Sequence, residues 1–200
     1  MTWMKNLVIT AHPDDETIWM GGTILKDRES DWTILSLCRK TDSERMPKFF
    51  KVCKILNAEG IISDLEDEKL LPLRIEIVAK KIEDNLPKID FDNVYTHGIN
   101  GEYGHIRHIE IHKAVEKLIE ERKISCKKAF VFSYMPGDIT SSHDKNLKIP
   151  VAYNDSNVVV ELDKKTHMKK LDLINKTYGF SSESFEFLSS GIKEAFSVLK

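Results

Sequence analysis

Runs of strand length, such as Asn6-Leu7-Val8-Ile9-Thr10-Ala11 and Trp32-Thr33-Ile34-Leu35-Ser36-Leu37-Cys38, alternate along this chain with stretches whose apolar residues recur at helical spacing. Strands separated by helices are not joined as hairpins. Each returns to the sheet through a crossover, so the pattern predicts an α/β fold with a Rossmann-like, mainly parallel sheet flanked by helices. Strands are expected at 6–11, 32–38, about 61–63, 93–97, 129–134 and 157–162, and helices at about 16–28, 44–58, 73–86, 105–122, 164–177 and 184–198. Met46, Phe49, Phe50, Cys53 and Leu56 repeat at helical spacing, as do Ile111, Val115, Leu118 and Ile119, and both sets are read as core.

The 200 residues contain no internal repeat, low-complexity tract or linker, so one domain spanning 1–200 is expected. A net charge of −2 leaves no basic footprint, and the pairs Lys164-Lys165 and Lys169-Lys170 alternate with apolar positions as a solvated helix face would. Nucleic acid is therefore not an expected partner. No apolar run approaches the ~18 residues of a membrane span, which makes a cytoplasmic protein the expectation. Cys38, Cys53 and Cys126 lie far apart without Cys-x-x-Cys spacing and are read as small core residues in a reducing compartment. Residues 136–156 show no clear period and are expected to form a loop at the mouth of a site.

Directly after the first strand stands His12-Pro13-Asp14-Asp15-Glu16. Two explanations fit so much charge. Carboxylates at the start of a helix satisfy exposed amides and the positive end of the dipole. Alternatively, a metal site occupies the carboxyl end of a strand, where open α/β sheets keep their ligand crevices. A second cluster bears on the choice. Val94-Tyr95-Thr96-His97 runs into a stretch with three glycines, Gly98, Gly101 and Gly104, followed by His105, His108 and His112 on one arc of a helix. The spacing is not His-Glu-x-x-His. Together the clusters suggest two histidines and one aspartate around a zinc ion, with a position open for water.

Ala11-His12-Pro13-Asp14-Asp15-Glu16 and, about ninety residues later, Gly101-Glu102-Tyr103-Gly104-His105-x-x-His108 resemble the motifs of the PIG-L/LmbE-like family of zinc-dependent N-deacetylases. Members of that family include N-acetylglucosaminyl-phosphatidylinositol and mycothiol-precursor deacetylases. Arg45 and the closing stretch Val159-Val160-Glu161-Leu162-Asp163 before a Lys-rich helix are softer matches. The resemblance implies His12, Asp15 and His108 as metal ligands and Asp14 as the general base. It also implies His105 as the group that stabilises the oxyanion and helps protonate the leaving amine, and Arg45 as a substrate contact. Glu16 and His112 are left as a cap and a core or supporting histidine. The chain departs from the family where relatives commonly carry His-Pro-Asp-His and this one has His105-Ile106-Arg107-His108. A guanidinium there would disfavour a charged His105 unless a carboxylate such as Glu102 compensates. Tyr178-Gly179-Phe180-Ser181-Ser182 also lacks the Ser-Gln of many members.

The function this implies is hydrolytic removal of acetyl from a small N-acetylated amino sugar of N-acetylglucosamine type, or its conjugate. Zn2+ is the expected cofactor, with Fe2+ or Co2+ as other ions such a site accepts. Two alternatives are another amide or ester hydrolysed at the same centre, and a metal-holding binding module without turnover. A base beside the metal argues against the second, because a binder has no use for one.

Overall fold

The computed structural model describes residues 3–86, 90–142 and 144–199. Leu7, Val8 and Ile9 in β1 (Met4–Thr10) are all fully buried, as in a central strand covered on both faces. Side chains alternate across the sheet, so Val8 and Ile34 of β2 (Ser30–Ser36) pack on one face with Trp19, Ile24, Phe49 and Val52. Those four come from α1 (Asp15–Lys26) and α2 (Arg45–Leu56). Leu7, Ile9 and Leu35 face the other side, against Val78 and Ile82 of α3 (Ile75–Asn85) and Ile111 and Val115 of α5 (Ile106–Glu120).

The remaining strands are β3 (Ala58–Ile62), β4 (Asp90–Thr96), β5 (Ser125–Phe132), β6 (Tyr134–Thr140), β7 (Lys148–Ala152), β8 (Val158–Glu161) and β9 (Lys193–Val198). Among the described residues seven of the nine strands form one sheet in the order β3-β2-β1-β4-β5-β9-β8, in which β3 to β5 are parallel and β9 runs antiparallel between β5 and β8. This is the mainly parallel, helix-flanked architecture the sequence pattern implies. Chain order reverses between β1 and β4, whose carboxyl ends therefore open a crevice.

Four expectations need correction. The helix expected over 184–198 is only α7 (Phe185–Ser189), and the chain then forms β9. Consecutive Glu194, Ala195 and Phe196 are buried because β9 lies between β5 and β8 with both faces covered. So short a run has no period that distinguishes strand from helix. Within 136–156 the chain builds the β6–β7 hairpin instead of an irregular loop; residue 143 lies outside the described residues. Phe50 is 42% exposed and is not core. Lys170, in α6 (Lys164–Asp172), is fully buried and not on a solvated face; α6 continues into a π-helical segment, Leu173–Tyr178. No helix among the described residues is long and apolar enough to cross a membrane.

Candidate active site

The two histidine motifs meet at the β1/β4 crevice. After β1 the chain turns through 11–14 and enters α1, and Asp14 takes φ 124° to make that turn. Such a dihedral is costly for a residue with a Cβ and persists only where its surroundings enforce it. Enforcement comes from Glu16, whose carboxylate accepts the Asp14 N–H at 3.0 Å and the hydroxyls of Thr17 and Tyr178 at 2.6 and 2.7 Å. Glu16 is thus a brace for Asp14. Helix capping does not explain the acidic run, since the Asp14 side chain makes no cap hydrogen bond.

Across the crevice, His97 follows β4 and the chain passes through α4 (Gly101–Gly104), a single irregular turn. Gly101 has φ 60°, and a Cβ there would lie 2.9 Å from the Ile109 side chain, so both conformation and space call for glycine. His105 stands before the first turn of α5 and His108 within it.

Three lone-pair atoms converge. His12 Nδ1 is 3.3 Å from Asp15 Oδ2, His108 Nε2 is 3.4 Å from the same oxygen, and the two nitrogens are 3.4 Å apart. Tetrahedral ligands bound at ~2.0–2.1 Å stand about 3.3 Å from one another, so this triangle has the dimensions of a metal face. The other ends of the same side chains are occupied. His12 Nε2 lies 3.1 Å from Asp67 Oδ2, His108 Nδ1 is 2.6 Å from Glu102 Oε2, and Asp15 Oδ1 accepts the Trp19 indole N–H at 3.0 Å. Carboxylates behind the imidazoles select the tautomer whose free lone pair points inward, as in metal centres generally. The donor set of two imidazoles and a carboxylate suits a divalent ion.

His97 supports this face without joining it. Its Nδ1 shares Glu102 Oε2 at 2.8 Å, its Nε2 accepts the Ala11 N–H at 2.9 Å, and its ring stacks on His108 with centroids 3.7 Å apart. His112 Nδ1 in turn donates to the His97 carbonyl at 2.9 Å.

Charge is strongly biased in so dry a cluster. Burial works against a charged His12, but Asp15 and Asp67 outweigh it and hold its pKa at about 10. Burial would also raise the Asp15 and Glu102 carboxyls; neighbouring histidines overcome it, lowering Asp15 well below the usual range and Glu102 to about 2. Asp14 goes the other way, raised by burial and by Asp15 against the pull of Arg45 and His12. His105 is lowered to about 3, first by burial and then by His108 and His12.

A cavity of ≈ 200 Å³ opens on this centre, lined by His12, Asp14, Asp15, Arg39, Arg45, Asp67, Tyr103 and His105, with Ile18, Trp19, Leu70, Phe185 and Glu186 closing it. A larger depression of ≈ 680 Å³ around Lys5, Trp32, Phe50 and Asn57 has none of the histidines. All six residues singled out from the sequence lie in or around the smaller cavity, though Arg45 reaches Asp14 only at 3.4 Å and sits 5.5 Å over the Phe180 ring. No described residue of 136–156 lines it. The Arg107 guanidinium is turned away from His105, bonding Glu66 and Glu110, and Glu102 serves His97 and His108. Burial and the imidazoles, not Arg107, keep His105 neutral. Sequence reasoning did not single out His97, Arg39 or Asp67. His97 carried a signal, an imidazole at a strand's carboxyl end; Asp67 sits among other acidic residues in a loop and carried none.

Fold and cavity define a doubly wound α/β protein with a histidine- and carboxylate-lined crevice at its switch point. The family model PIG-L, described as GlcNAc-PI de-N-acetylase, matches residues 7–119, and the chain belongs to that family. No curated protein sequence matches it. Among solved structures, N,N'-diacetylchitobiose deacetylase from Pyrococcus horikoshii is similar at a TM-score of 0.67 and 17% identity, over 98% of this chain and 84% of that one. The conserved protein TT1542 from Thermus thermophilus gives 0.65 and 16%, over 98% and 95%. The 4-carboxy-2-hydroxymuconate hydratase from Pseudomonas putida gives 0.61 and 13%, over 98% and 96%. At these identities the likeness is one of fold, and the presence of a hydratase illustrates that this fold does not by itself select a reaction.

Proposed function

We propose that this chain is a metal-dependent N-deacetylase acting on an N-acetylated amino sugar of N-acetylglucosamine type or a conjugate of one. The observation that carries the reading is the triangle of His12 Nδ1, Asp15 Oδ2 and His108 Nε2, with Asp14 beside it, at a cavity of ≈ 200 Å³. His12, Asp15 and His108 would hold the ion. A bound divalent ion, zinc being the best fit to this donor set, polarises an amide carbonyl and makes water a nucleophile near neutral pH. Asp14, its pKa raised, accepts the proton as water attacks the carbonyl carbon, and can return it to the departing amine. His105, held neutral, assists by hydrogen bonding to the developing oxyanion. Its role as the acid that protonates the amine passes to Asp14 in this scheme. Arg45 contacts a polar or anionic substituent remote from the amide, and Trp19 and Tyr103 wall the cavity.

The test is metal stoichiometry measured beside acetate release over a panel of N-acetylglucosamine conjugates, esters and phosphoesters. Asp14→Asn is expected to keep its metal and lose ~10² to 10⁴ in kcat. Asp15→Asn is expected to lose metal, since a neutral amide replaces an anionic ligand. A folded Asp14→Asn protein with undiminished turnover removes the base, and equal metal loss in both variants makes the two aspartates joint ligands.

A further inference from the structure

Arg107 stands between the two motif histidines, yet its fully buried guanidinium serves another part of the chain. Nε donates to the Glu66 carbonyl at 2.5 Å, Nη1 to Glu110 Oε2 at 2.6 Å, and Nη2 to Glu66 Oε2 and the Leu71 carbonyl at 2.7 and 2.9 Å. Glu110, one helical turn on, accepts the Leu73 N–H at 2.6 Å. Arg107 and Glu110 therefore grip the irregular segment between β3 and α3 at residues 66, 71 and 73.

Asp67 lies inside that grip. Its side chain is only 4% exposed, and Oδ2 meets both His12 Nε2 at 3.1 Å and Arg39 Nη2 at 2.7 Å. It lines the same cavity as Asp14 and Asp15, with Arg39 and His12 as the groups its carboxylate faces. Backbone hydrogen bonds from Ser63 and Leu65 to the end of β2 and Leu37 anchor the start of the segment, and beyond them the grip on residues 66, 71 and 73 comes from Arg107 and Glu110. We infer that Arg107 is a positioning residue for the candidate metal centre: it clamps the β3–α3 segment so that Asp67 stays against His12 Nε2 and His12 Nδ1 stays turned toward Asp15 and His108. This rests on the proposed reading of His12 as a ligand. The residue that breaks the motif's usual pattern thereby becomes part of the site's support.

A double-mutant series decides it. Zn2+ affinity is measured by competition with a chromophoric chelator for the wild-type chain, Arg107→Met, Asp67→Asn, the double variant and Arg107→Lys, with circular dichroism as the folding control. Asp67→Asn and Arg107→Met should each weaken Zn2+ by ~10- to 100-fold. The double variant should be no weaker than the worse single one, and Arg107→Lys should recover part of the loss. Additive losses, or an unchanged affinity in Arg107→Met, overturn the inference. Should Arg107→Met not fold, Glu66→Gln, which weakens only one of the clamp's bonds, carries the test with a several-fold loss expected and none overturning it. A second readout needs no metal: the exchange-protected His12 Nε2 proton in NMR spectra of the ion-free chain. It should persist in Arg107→Lys and vanish in Asp67→Ala, which removes the acceptor, and in Arg107→Met. If the wild-type chain binds no Zn2+, the ligand reading of His12 fails, and this proton still reports whether Arg107 keeps Asp67 on His12; its persistence in Arg107→Met overturns the clamp.

Discussion

Two buried charge clusters in this protein have opposite designs. Lys170 and Glu194 are both fully buried, with Nζ 2.7 Å from Oε1. Glu194 also accepts the Gly22 and Thr23 amide protons at 2.8 and 2.7 Å and the Thr23 hydroxyl at 2.6 Å. Its acceptor positions are filled from within the chain, and the pair ties α6 and β9 to the middle of α1. At the β1/β4 crevice the charges are buried but border a cavity: one atom of each of His12, Asp15 and His108 lies within 3.3 to 3.4 Å of the other two, and Asp14 and His105 face the same cavity. His105 Nδ1 and Asp67 Oδ1 are buried without a hydrogen-bond partner among the described residues. The first cluster is closed within the chain; the second gathers His12 Nδ1, Asp15 Oδ2 and His108 Nε2 at the edge of a cavity. Burial alone does not separate the two clusters; what separates them is that the atoms of one are satisfied within the chain while those of the other face a cavity.

The largest effect should come from the closed cluster. Lys170→Met leaves Glu194 buried and uncompensated, which typically costs ~3–5 kcal/mol. Urea unfolding should show that loss while the Zn2+ affinity of the folded protein stays at the wild-type value. A changed affinity with unaltered stability would erase the distinction between the clusters.

His105→Ala should behave in the opposite way, with kcat reduced by ~10² to 10³ as for loss of an oxyanion partner, and unfolding little changed. Steady-state kinetics beside a urea titration separates the two. Metal loss on this substitution would instead make His105 a ligand.

Glu102→Gln tests the layer between them. The Glu102 carboxylate holds His97, His108 and the Gly98 amide, so the variant should lower Zn2+ affinity by ~10- to 100-fold in chelator competition. An unaltered affinity would move Glu102 into the structural cluster.

Smallest is Arg45→Ala at the rim, where one charge-assisted hydrogen bond to substrate is worth ~1.5–3 kcal/mol at most and exposure reduces it. KM should rise by about tenfold with kcat kept, read on whichever N-acetyl conjugate is turned over. Equal KM values on every substrate would leave Arg45 as a partner of Asp14 and Phe180 only.

Much of this molecule is determined by local sequence. The alternation of apolar runs and helical periods is enough for the parallel sheet, because strand and helix periods are properties of neighbours along the chain. The adjacency of His12 and Asp15 is likewise local, being one turn and the start of α1. Tertiary structure decided what depends on partners far away in sequence. Residues 193–198 became a strand because β5 and β8 offer their edges, and Lys170 was drawn into the interior because Glu194 waits there, 24 residues on. Asp67 reached His12 across 55 residues, and Arg107 left His105 for Glu66 across 41, contacts that no period or spacing encodes. Periodicity reports which face of an element is apolar. Which charge meets which is settled only when the elements pack, because the energy of a buried carboxylate or guanidinium lies in the partner that satisfies it.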